Sequence, residues 1–191
     1  MKSLESTRHR IFSVADPGLA CEAAADKARS IGYEPFILST TMEGEAKDLG
    51  VFTSGIADEI MTRARPFHRP CALITGGETT VTITGEAKGG GPNQETVLGF
   101  VSGIRNEGPY AFLSMDTDGS DGPCDAAGGL ADAFSVRLVR EGIIDLQLAL
   151  LEHDSRAALA RMGDLLLTGP TGTNVMNLRI LLIGREEEEA P

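Results

Sequence analysis

Residues 71–91, CALITGGETTVTITGEAKGGG, carry the pattern on which the fold prediction rests. Cys71 to Thr75 is a short, mainly apolar run typical of a strand that is buried on both faces. Thr79 to Thr84 alternates threonine with valine and isoleucine, which is typical of a strand with one exposed face. Because Gly76 and Gly77 separate the two runs, the sequence predicts a hairpin and hence an antiparallel part of the sheet.

Apolar runs separated by glycine- and proline-rich breaks continue on both sides of this stretch. Proline or aspartate where a run starts, and glycine where it ends, indicate helix boundaries. The predicted helices are Pro17 to Ser30, Glu43 to Arg65, Pro92 to about Asn106, Pro123 to about Glu141, and one capped by Asp154 that stops at Gly163. The further predicted strands are Pro35 to Leu38, Tyr110 to Met115, Asp164 to Leu167 and Leu178 to Ile183. Because strands and helices alternate, we expect an α/β fold with helices layered on a mixed β-sheet.

Pro66 and Pro70 close the second predicted helix and mark an internal boundary. This boundary divides most of the chain into segments 9–67 and 68–185. We expect residues 1–8 to be flexible and the acidic residues 186–191 to form a solvated tail.

The composition is that of a soluble globular protein, with 41% hydrophobic and 24% charged residues in a chain of 191. No apolar run approaches the roughly 20 residues of a membrane-spanning helix, and the N-terminus lacks the apolar stretch of a secretory signal. The net charge of −11 opposes binding to DNA or RNA, because such a surface needs a basic stripe. We therefore expect a cytoplasmic protein that binds small molecules rather than nucleic acids or membranes.

The three cysteines, Cys21, Cys71 and Cys124, are widely spaced and form neither a CxxC pair nor a cluster with histidine. This pattern indicates reduced thiols and predicts no disulfide framework and no zinc site. Cys124 would need a nearby base to act as a nucleophile, and the sequence connects none of the histidines to it.

The first of three glycine-rich loops, Gly85 to Gly91, is followed by Pro92 at the start of a predicted helix. Three consecutive glycines let backbone amides approach an anion, and a helix N-terminus adds unpaired N–H groups. The loop matches neither GxGxxG nor GxxxxGK, so it is not a dinucleotide or P-loop fingerprint. A flexible connection with a solvated Lys88 explains the same residues, and both interpretations stay open.

The second loop, Asp116 to Gly122, follows a predicted buried strand and contains carboxylates at positions 116, 118 and 121. Such carboxylates hold Mg²⁺ through one or two oxygens, or accept a hydroxyl proton during phosphoryl transfer. A calcium loop is excluded because no glutamate stands at its twelfth position. The alternative is a plain turn in which Asp121 caps the next helix.

The third loop, Thr168 to Asn174, combines hydroxyls and glycines that suit an oxygen-rich ligand or a structural turn. Ligands of open α/β sheets bind where such loops cluster at strand ends. We therefore expect the three loops to converge on one pocket, with the Asp118 carboxylate directed into it.

Four ordered motifs between Cys71 and Ile183 make the chain similar to a known family. They are Gly76-Gly77-Glu78-Thr79-Thr80-Val81; Gly90-Gly91-Pro92-Asn93-Gln94-Glu95; Thr117-Asp118-Gly119 with Asp121-Gly122-Pro123 and Ala126-Ala127-Gly128; and Gly163-Asp164-Leu165 with Thr168 to Asn174. They resemble the type II glycerate kinases (glycerate 2-kinases), which end in the MOFRL domain and are also called hydroxypyruvate reductases. By this resemblance residues 68–185 are MOFRL-like, and residues 9–67 are similar to the stretch just before that domain.

The resemblance implies phosphorylation of D-glycerate at its 2-hydroxyl, with ATP and Mg²⁺, in a cleft between two α/β domains. Asp118 is the implied catalytic acid or base, whereas Asp116 and Asp121 are expected as Mg²⁺ ligands from the carboxylates of the second loop. The resemblance places Asn93, Gln94 and the preceding Gly89, Gly90 and Gly91 on the substrate side. The polar residues Thr117, Thr171 and Asn174 of the second and third loops are also expected to bind the substrate or an anion.

Two departures from the family pattern affect this expectation. Pro92 stands where many relatives have an arginine, and proline makes no charge-assisted hydrogen bond. The relatives are about twice as long, and their N-terminal domain supplies a catalytic lysine and much of the cleft. We therefore expect activity only together with an N-terminal portion, which a separate chain could supply. An NAD(P)H-dependent hydroxypyruvate reductase and a non-catalytic ligand-binding or assembly module are the alternatives.

Overall fold

The first helix, α1 (Pro17–Ser30), lies where the sequence predicts it. Its start is fixed by Asp16, whose Oδ1 accepts a hydrogen bond from Leu19 N–H at 3.0 Å, and by Pro17 in the first helical position. Gly32, with φ +88°, follows the end of the helix and turns the chain towards the sheet. The local signals here agree with one another, and the prediction is confirmed.

The computed structural model describes residues 14–185. The strands are β1 (Glu34–Met42), β2 (Cys71–Gly77), β3 (Tyr110–Asp116), β4 (Gly128–Asp132), β5 (Leu165–Leu166) and β6 (Asn177–Ile183). The helices after α1 are α2 (Ala46–Arg63), α3 (Pro92–Gly103), α4 (Ala133–Arg140), α5 (Leu146–Leu151) and α6 (Ser155–Met162). Among these residues no helix has both the length and the apolar composition needed to cross a bilayer.

The six strands form one mixed sheet in the order β1-β2-β6-β3-β4-β5. β1 and β2 are parallel, whereas every other neighbouring pair is antiparallel. The register places the C-terminal ends of β2 and β3 beside the start of β6, because Asn177 pairs with both Gly77 and Asp116. The expected α/β class, with helices layered on a mixed sheet, is confirmed.

The two faces of the sheet carry different helices. On one face, Cys21 and Ala25 of α1 pack against Ile74 and the partly buried Leu178 and Ile180. The larger core on the other face joins α2, α3 and the later helices to the sheet, and its largest fully buried side chains include Phe100, Phe112, Ile60, Leu98, Leu159 and Leu181. Neighbouring residues of a strand point to opposite faces, which is why Leu181 and Ile180 belong to different cores.

The predicted hairpin after β2 is wrong. Both edges of β2 are already occupied, by β1 and by β6. Residues 78–84 instead cross to the start of α2, where Thr80 N–H donates to Gly44 O and Ala46 N–H donates to Thr80 O, both at 2.9 Å. The burial of this segment does not follow its alternating pattern, because Thr79 is buried and Ile83 is 58% exposed.

The predicted helix from Pro123 to Glu141 is wrong in its first half, where residues 123–127 form a loop and β4 follows, and its second half corresponds to α4. Gly128 approaches β3 so closely that a Cβ would lie 2.0 Å from Ser114 O, a contact that only glycine permits. A new helix, α4, then begins at Asp132, whose Oδ1 accepts hydrogen bonds from Phe134 and Ser135 N–H. The sequence analysis also missed α5, which has only six residues.

The expected division at residue 67 runs between two strands of one sheet, because β1 pairs with β2. The expected flexible residues 1–8 and acidic tail 186–191 lie outside the described residues.

Glycines hold α2 and α3 in unusually close contact. A Cβ on Gly50 of α2 would lie 2.1 Å from Thr96 O, and a Cβ on Gly99 of α3 would lie 2.1 Å from Lys47 O. These distances place each glycine against the backbone of the other helix. Since backbone cannot move aside as a flexible side chain can, any side chain at Gly50 or Gly99 forces the helices apart.

We expect Gly99→Ala to lower the free energy of unfolding by about 3 kcal/mol, because the overpacking outweighs a gain in helix propensity of about 1 kcal/mol. Gly55→Ala, on the exposed face of α2 with no heavy atom within 4 Å of the added Cβ, is the matched control and should raise stability by about 0.5–1 kcal/mol. Denaturant unfolding of both variants measures these changes. Equal effects of the two substitutions would contradict the close-contact explanation.

Candidate functional site

Three loops that are distant in sequence meet at one end of the sheet. We call them the glycine loop (85–91), the aspartate loop (116–122) and the threonine loop (168–174). The aspartate loop lies in the middle. Asp118 O accepts a hydrogen bond from Thr171 N–H at 3.0 Å, and a Cβ on Gly91 would lie 2.3 Å from Asp121 O. The structure therefore brings the three loops together, as the sequence predicts.

The Asp121 carboxylate joins the aspartate loop to the start of α3. Its Oδ1 accepts hydrogen bonds from the backbone N–H and the side-chain Nδ2 of Asn93, both at 3.0 Å. Its Oδ2 accepts from the backbone N–H of Gln94 at 2.9 Å and from Gln94 Nε2 at 3.0 Å. A carboxylate accepts about four hydrogen bonds, so Asp121 has no oxygen lone pair left for a metal ion.

Asp121 thus caps α3, the helix before it, and not a helix after it. Its side chain is 1% exposed. Burial raises the pKa of Asp121, and the hydrogen bonds from Asn93 and Gln94 oppose that rise. The negative charge also complements the positive end of the helix dipole. The sequence analysis considers the first turn of α3 as a binding site for an external anion. In the structure a carboxylate of the same chain occupies this turn.

Asn93 and Gln94 are completely buried, so neither side chain reaches the surface of this chain. Asn93 Oδ1 accepts a hydrogen bond from Ser114 Oγ at 2.6 Å. Gln94 Nε2 also donates to the sulfur of Cys124 at 3.1 Å. Both residues that the resemblance assigns to the substrate side, together with Cys124, here form a buried network that positions the aspartate loop.

Asp118 lies between the aspartate loop and the threonine loop and is half-buried. Its Oδ1 accepts a hydrogen bond from Ser120 N–H at 2.8 Å, and its Oδ2 accepts from Asn174 Nδ2 at 3.0 Å. Each oxygen keeps one acceptor position. Asp118 and Asn174 are brought together. Neither Asp118 nor any residue of the threonine loop lines the cavity beside the glycine loop, so that cavity is not the shared pocket that the sequence analysis expects.

Thr117 and Thr171 serve as connections between loops. Thr117 Oγ1 donates to Met176 O at 2.7 Å, and Thr171 Oγ1 donates to Thr117 O at 2.5 Å. Thr117 Oγ1 also accepts from Val175 N–H at 2.8 Å. The hydroxyls of both threonines are therefore used within the protein.

Asp116, the other expected Mg²⁺ ligand, is half-buried at the end of β3. Burial raises the pKa of Asp116, and the neighbouring charges of Asp118, Asp121 and Glu78 raise it further, whereas a hydrogen bond from Asp118 N–H lowers it. Over residues 14–185 no group of three or more histidine, cysteine, aspartate or glutamate side chains is arranged to hold a metal. Mg²⁺ commonly takes only one or two carboxylates and completes its shell with phosphate and water, so a role for Asp116 stays a prediction.

Arg179 supplies the buried positive charge near these acids. It lies on β6, is 2% exposed, and its Nη2 donates to Thr79 Oγ1 at 2.7 Å. Burial lowers the pKa of Arg179 to about 10, although the charges of Asp121 and Asp116 favour its protonated form. The guanidinium thus offsets part of the negative charge of the aspartate loop.

A cavity of about 550 Å³ lies between the glycine loop, residues 78–83 and the first turn of α3. Two buried ionisable residues, Glu95 and His153, line it. His153 Nδ1 lies 2.8 Å from Glu95 Oε1. The sequence analysis missed this pair because 58 positions separate the two residues. The available signal was a glutamate directly after the Asn93-Gln94 motif.

The glycine loop is packed against the turn between α5 and α6. Gly89 N–H donates to His153 O at 2.9 Å, and a Cβ on Gly90 would lie 1.9 Å from Ser155 Oγ. Gly90 also has φ +134°, which disfavours other residues. Glycine is thus required at this position by the close packing of the loop, independently of any ligand.

Removing the Asp121 carboxylate should destabilise the fold strongly. Asp121→Ala leaves four buried donors of Asn93 and Gln94 without an acceptor, and we expect the free energy of unfolding to fall by about 3 kcal/mol or more. Asp125→Ala, a nearby exposed carboxylate paired with Arg156, is the control and should change stability little. Urea unfolding followed by circular dichroism measures both variants. A small loss in Asp121→Ala would show that the four hydrogen bonds are not a main source of stability.

The chain is similar to one protein family and to several known proteins. The model of the MOFRL family matches residues 71–177. Glycerate 2-kinase of Pyrococcus horikoshii is 46% identical over 172 residues, which cover 90% of this chain and 39% of that protein. An Agrobacterium vitis protein that carries the name hydroxypyruvate reductase is 41% identical over 172 residues, which cover 90% of this chain and 45% of that protein.

Among solved structures, the crystal structure of glycerate kinase from Thermotoga maritima superposes with a TM-score of 0.86 and 37% identity, over 91% of this chain and 42% of that one. The chain therefore spans well under half the length of these relatives. The family model covers more than half of the chain, including the start of α3 and the whole aspartate loop. This chain belongs to the MOFRL family.

Proposed function

We propose that this chain supplies the C-terminal part of a glycerate 2-kinase, which transfers a phosphoryl group from ATP to the 2-hydroxyl of D-glycerate. The observation that supports this proposal is the 46% identity, over nine tenths of the chain, to a protein named glycerate 2-kinase. In this proposal residues 68–185 form the MOFRL domain, and residues 9–67 correspond to the end of the preceding domain.

Asp118 is the residue that we propose to act on the substrate hydroxyl. Its two oxygens each accept one hydrogen bond within the protein, from Ser120 and Asn174. These contacts fix the carboxylate while leaving a free acceptor position on each oxygen. A fixed carboxylate with a free oxygen can orient a hydroxyl group and accept its proton during phosphoryl transfer.

Asp116 would hold Mg²⁺ together with oxygens of the nucleotide, whereas Asp121 would not, because four donors already occupy its carboxylate. When bound, Mg²⁺ neutralises the charge on the transferred phosphoryl group. The glycine loop is the proposed contact to an anionic group of glycerate or ATP. Pro92, at the start of α3, adds no charge to that contact.

Phosphoryl transfer depends on several groups that converge on the reacting atoms. Lys88 of the glycine loop is already paired with Glu152, and Arg156 is already paired with Asp125. We therefore propose that turnover requires a complementary N-terminal portion, which corresponds to the rest of the relatives' length.

The chain alone should phosphorylate D-glycerate at a rate indistinguishable from the background. Adding the N-terminal portion of the Thermotoga maritima glycerate kinase, expressed as a separate chain, should restore turnover in a coupled assay of ADP release. In that mixture Asp118→Asn should lower kcat by at least about 100-fold, because a neutral amide cannot accept the proton.

The control for Asp118→Asn is Asp125→Asn, which removes an exposed carboxylate from the same region. Kinase-level turnover by the isolated chain would contradict the need for a second portion. Unchanged turnover in Asp118→Asn would favour the alternative of a non-catalytic ligand-binding or assembly module.

The reductase alternative is supported by the name of the Agrobacterium vitis relative. The glycine loop opposes it, because a dinucleotide fingerprint passes directly from a strand through a tight turn into a helix. Here residues 78–91 separate β2 from α3, and Asp121 occupies the helix N-terminus. We expect no NADH oxidation with hydroxypyruvate, either by the chain alone or by the reconstituted mixture. Oxidation that is abolished by Asp118→Asn would support the reductase instead.

A further inference from the structure

The cavity beside the glycine loop has an ionisable pair at its wall, Glu95 of α3 and His153 after α5. Glu95 is 3% exposed and His153 is 7% exposed. Buried charged residues are uncommon unless they are paired or bind a ligand. The side-chain contacts of Asp118 and Asp121 do not include this pair, so its burial needs a separate explanation.

The hydrogen bonds define the protonation of His153. Its Nε2 accepts a hydrogen bond from Thr84 N–H at 3.2 Å, so the ring proton lies on Nδ1 and His153 is neutral. Nδ1–H then donates to Glu95 Oε1. His153 therefore orients Glu95 and leaves the second carboxylate oxygen, Oε2, for another partner.

Glu95 Oε2 is buried and has no hydrogen-bond partner within the part of the chain that the structure describes. Burial raises the pKa of Glu95, whereas the hydrogen bond from His153 lowers it. An unsatisfied buried carboxylate oxygen is costly, and a ligand that donates a hydrogen bond would remove that cost. The geometry thus provides an acceptor for a hydroxyl group at the cavity wall.

Hydrogen-bond donors lie on another part of the same wall. The backbone N–H groups of Gly90 and Gly91 find no acceptor among residues 14–185, and both glycines line the cavity. Two adjacent free amides are suited to a carboxylate group. A volume of about 550 Å³ accommodates a small organic ligand. Amide donors and a carboxylate acceptor together select a small acid that also carries a hydroxyl group.

We propose that Glu95, oriented by His153, is the residue that recognises the 3-hydroxyl of D-glycerate, while the amides of Gly90 and Gly91 bind its carboxylate. The 3-hydroxyl is the one that is not phosphorylated, so this contact determines specificity and does not take part in the transfer. Asp118 lies outside the cavity wall, so in this proposal the 2-hydroxyl faces the side of the cavity where Gly122 of the aspartate loop lies. The inference rests on the proposed function for the identity of the acid, and its test measures binding without ATP.

D-glycerate and D-lactate form a matched ligand pair, because D-lactate lacks only the 3-hydroxyl. Titration of the ¹⁵N-labelled chain with each acid, followed by NMR, gives both dissociation constants. We expect the resonances of Gly90 and Gly91 to shift with both acids. We expect D-glycerate to bind at least about tenfold more tightly, as a charge-assisted hydrogen bond predicts.

Glu95→Gln keeps the size of the side chain and the acceptor for His153, but replaces the free carboxylate oxygen with an amide. It should reduce the preference for D-glycerate over D-lactate about tenfold and leave D-lactate affinity nearly unchanged. Because burial disfavours the charge of Glu95, the neutral variant should fold normally, and the NMR spectrum checks this. Glu86→Gln, an exposed glutamate of the glycine loop, is the control and should leave the preference unchanged.

His153→Asn tests the positioning role. Its φ of +49° suits asparagine, and the asparagine amide can replace the Nδ1–H donor to Glu95. This variant should retain the preference for D-glycerate, whereas His153→Leu should reduce it as Glu95→Gln does. If His153→Leu alters stability but not the preference, the positioning role is overturned.

Equal binding of D-glycerate and D-lactate, or a preference that survives Glu95→Gln, would overturn the inference while leaving the kinase proposal to the turnover assay. Conversely, a Glu95-dependent preference without turnover in the reconstituted mixture would support the inference and refute the kinase proposal. Titration with AMP tests whether Glu95 instead binds a hydroxyl group of a nucleotide ribose. Glu95-dependent binding of AMP, with no binding of D-glycerate, would assign the cavity to a ribose and overturn the inference.

Discussion

The four hydrogen bonds accepted by the Asp121 carboxylate are the constraint on which the loop end of this structure depends. They satisfy two backbone N–H groups of the first turn of α3 and fix two buried amide side chains at the same time. The glycine loop leads into α3 at Gly91, where an added Cβ would lie 2.3 Å from Asp121 O. The threonine loop is attached to the other side of the aspartate loop through Thr117 and Asp118. One buried acid thereby fixes the aspartate loop against the start of α3, and Arg179 compensates part of its charge.

Much of the fold follows from local signals in the sequence. The bounds of α1 are predicted closely because Asp16, Pro17 and Gly32 all act within a few positions of the helix ends. Errors occur where a long-range contact decides the structure. Thr79 to Thr84 has the pattern of a strand, but β6 arrives from 100 residues away and occupies the edge of β2. Gly128 lies in an apparently helical stretch, but its close approach to Ser114 makes it part of β4.

In the candidate site, too, local features can be predicted from the sequence and long-range contacts cannot. The sequence indicates which loops bear polar groups and that they meet, because strand ends and glycine clusters are visible in it. It does not indicate which carboxylate is already satisfied by internal donors, and so it cannot separate Asp121 from Asp116. It also cannot pair Glu95 with His153, since neither residue belongs to a spacing pattern that includes the other. The distinction between a structural and a free polar group exists only once the chain is folded.

The two edge strands of the sheet, β1 and β5, differ in ways that affect self-association. β5, at one end, has only two residues and offers little backbone to a second molecule. β1, at the other end, has nine residues, but its register with β2 is interrupted after Ile37 and again after Ser39. Short or irregular edge strands are poor templates for intermolecular ladders, so we expect neither edge to support fibril-like growth even though β1 carries the exposed Ile37 and Leu38.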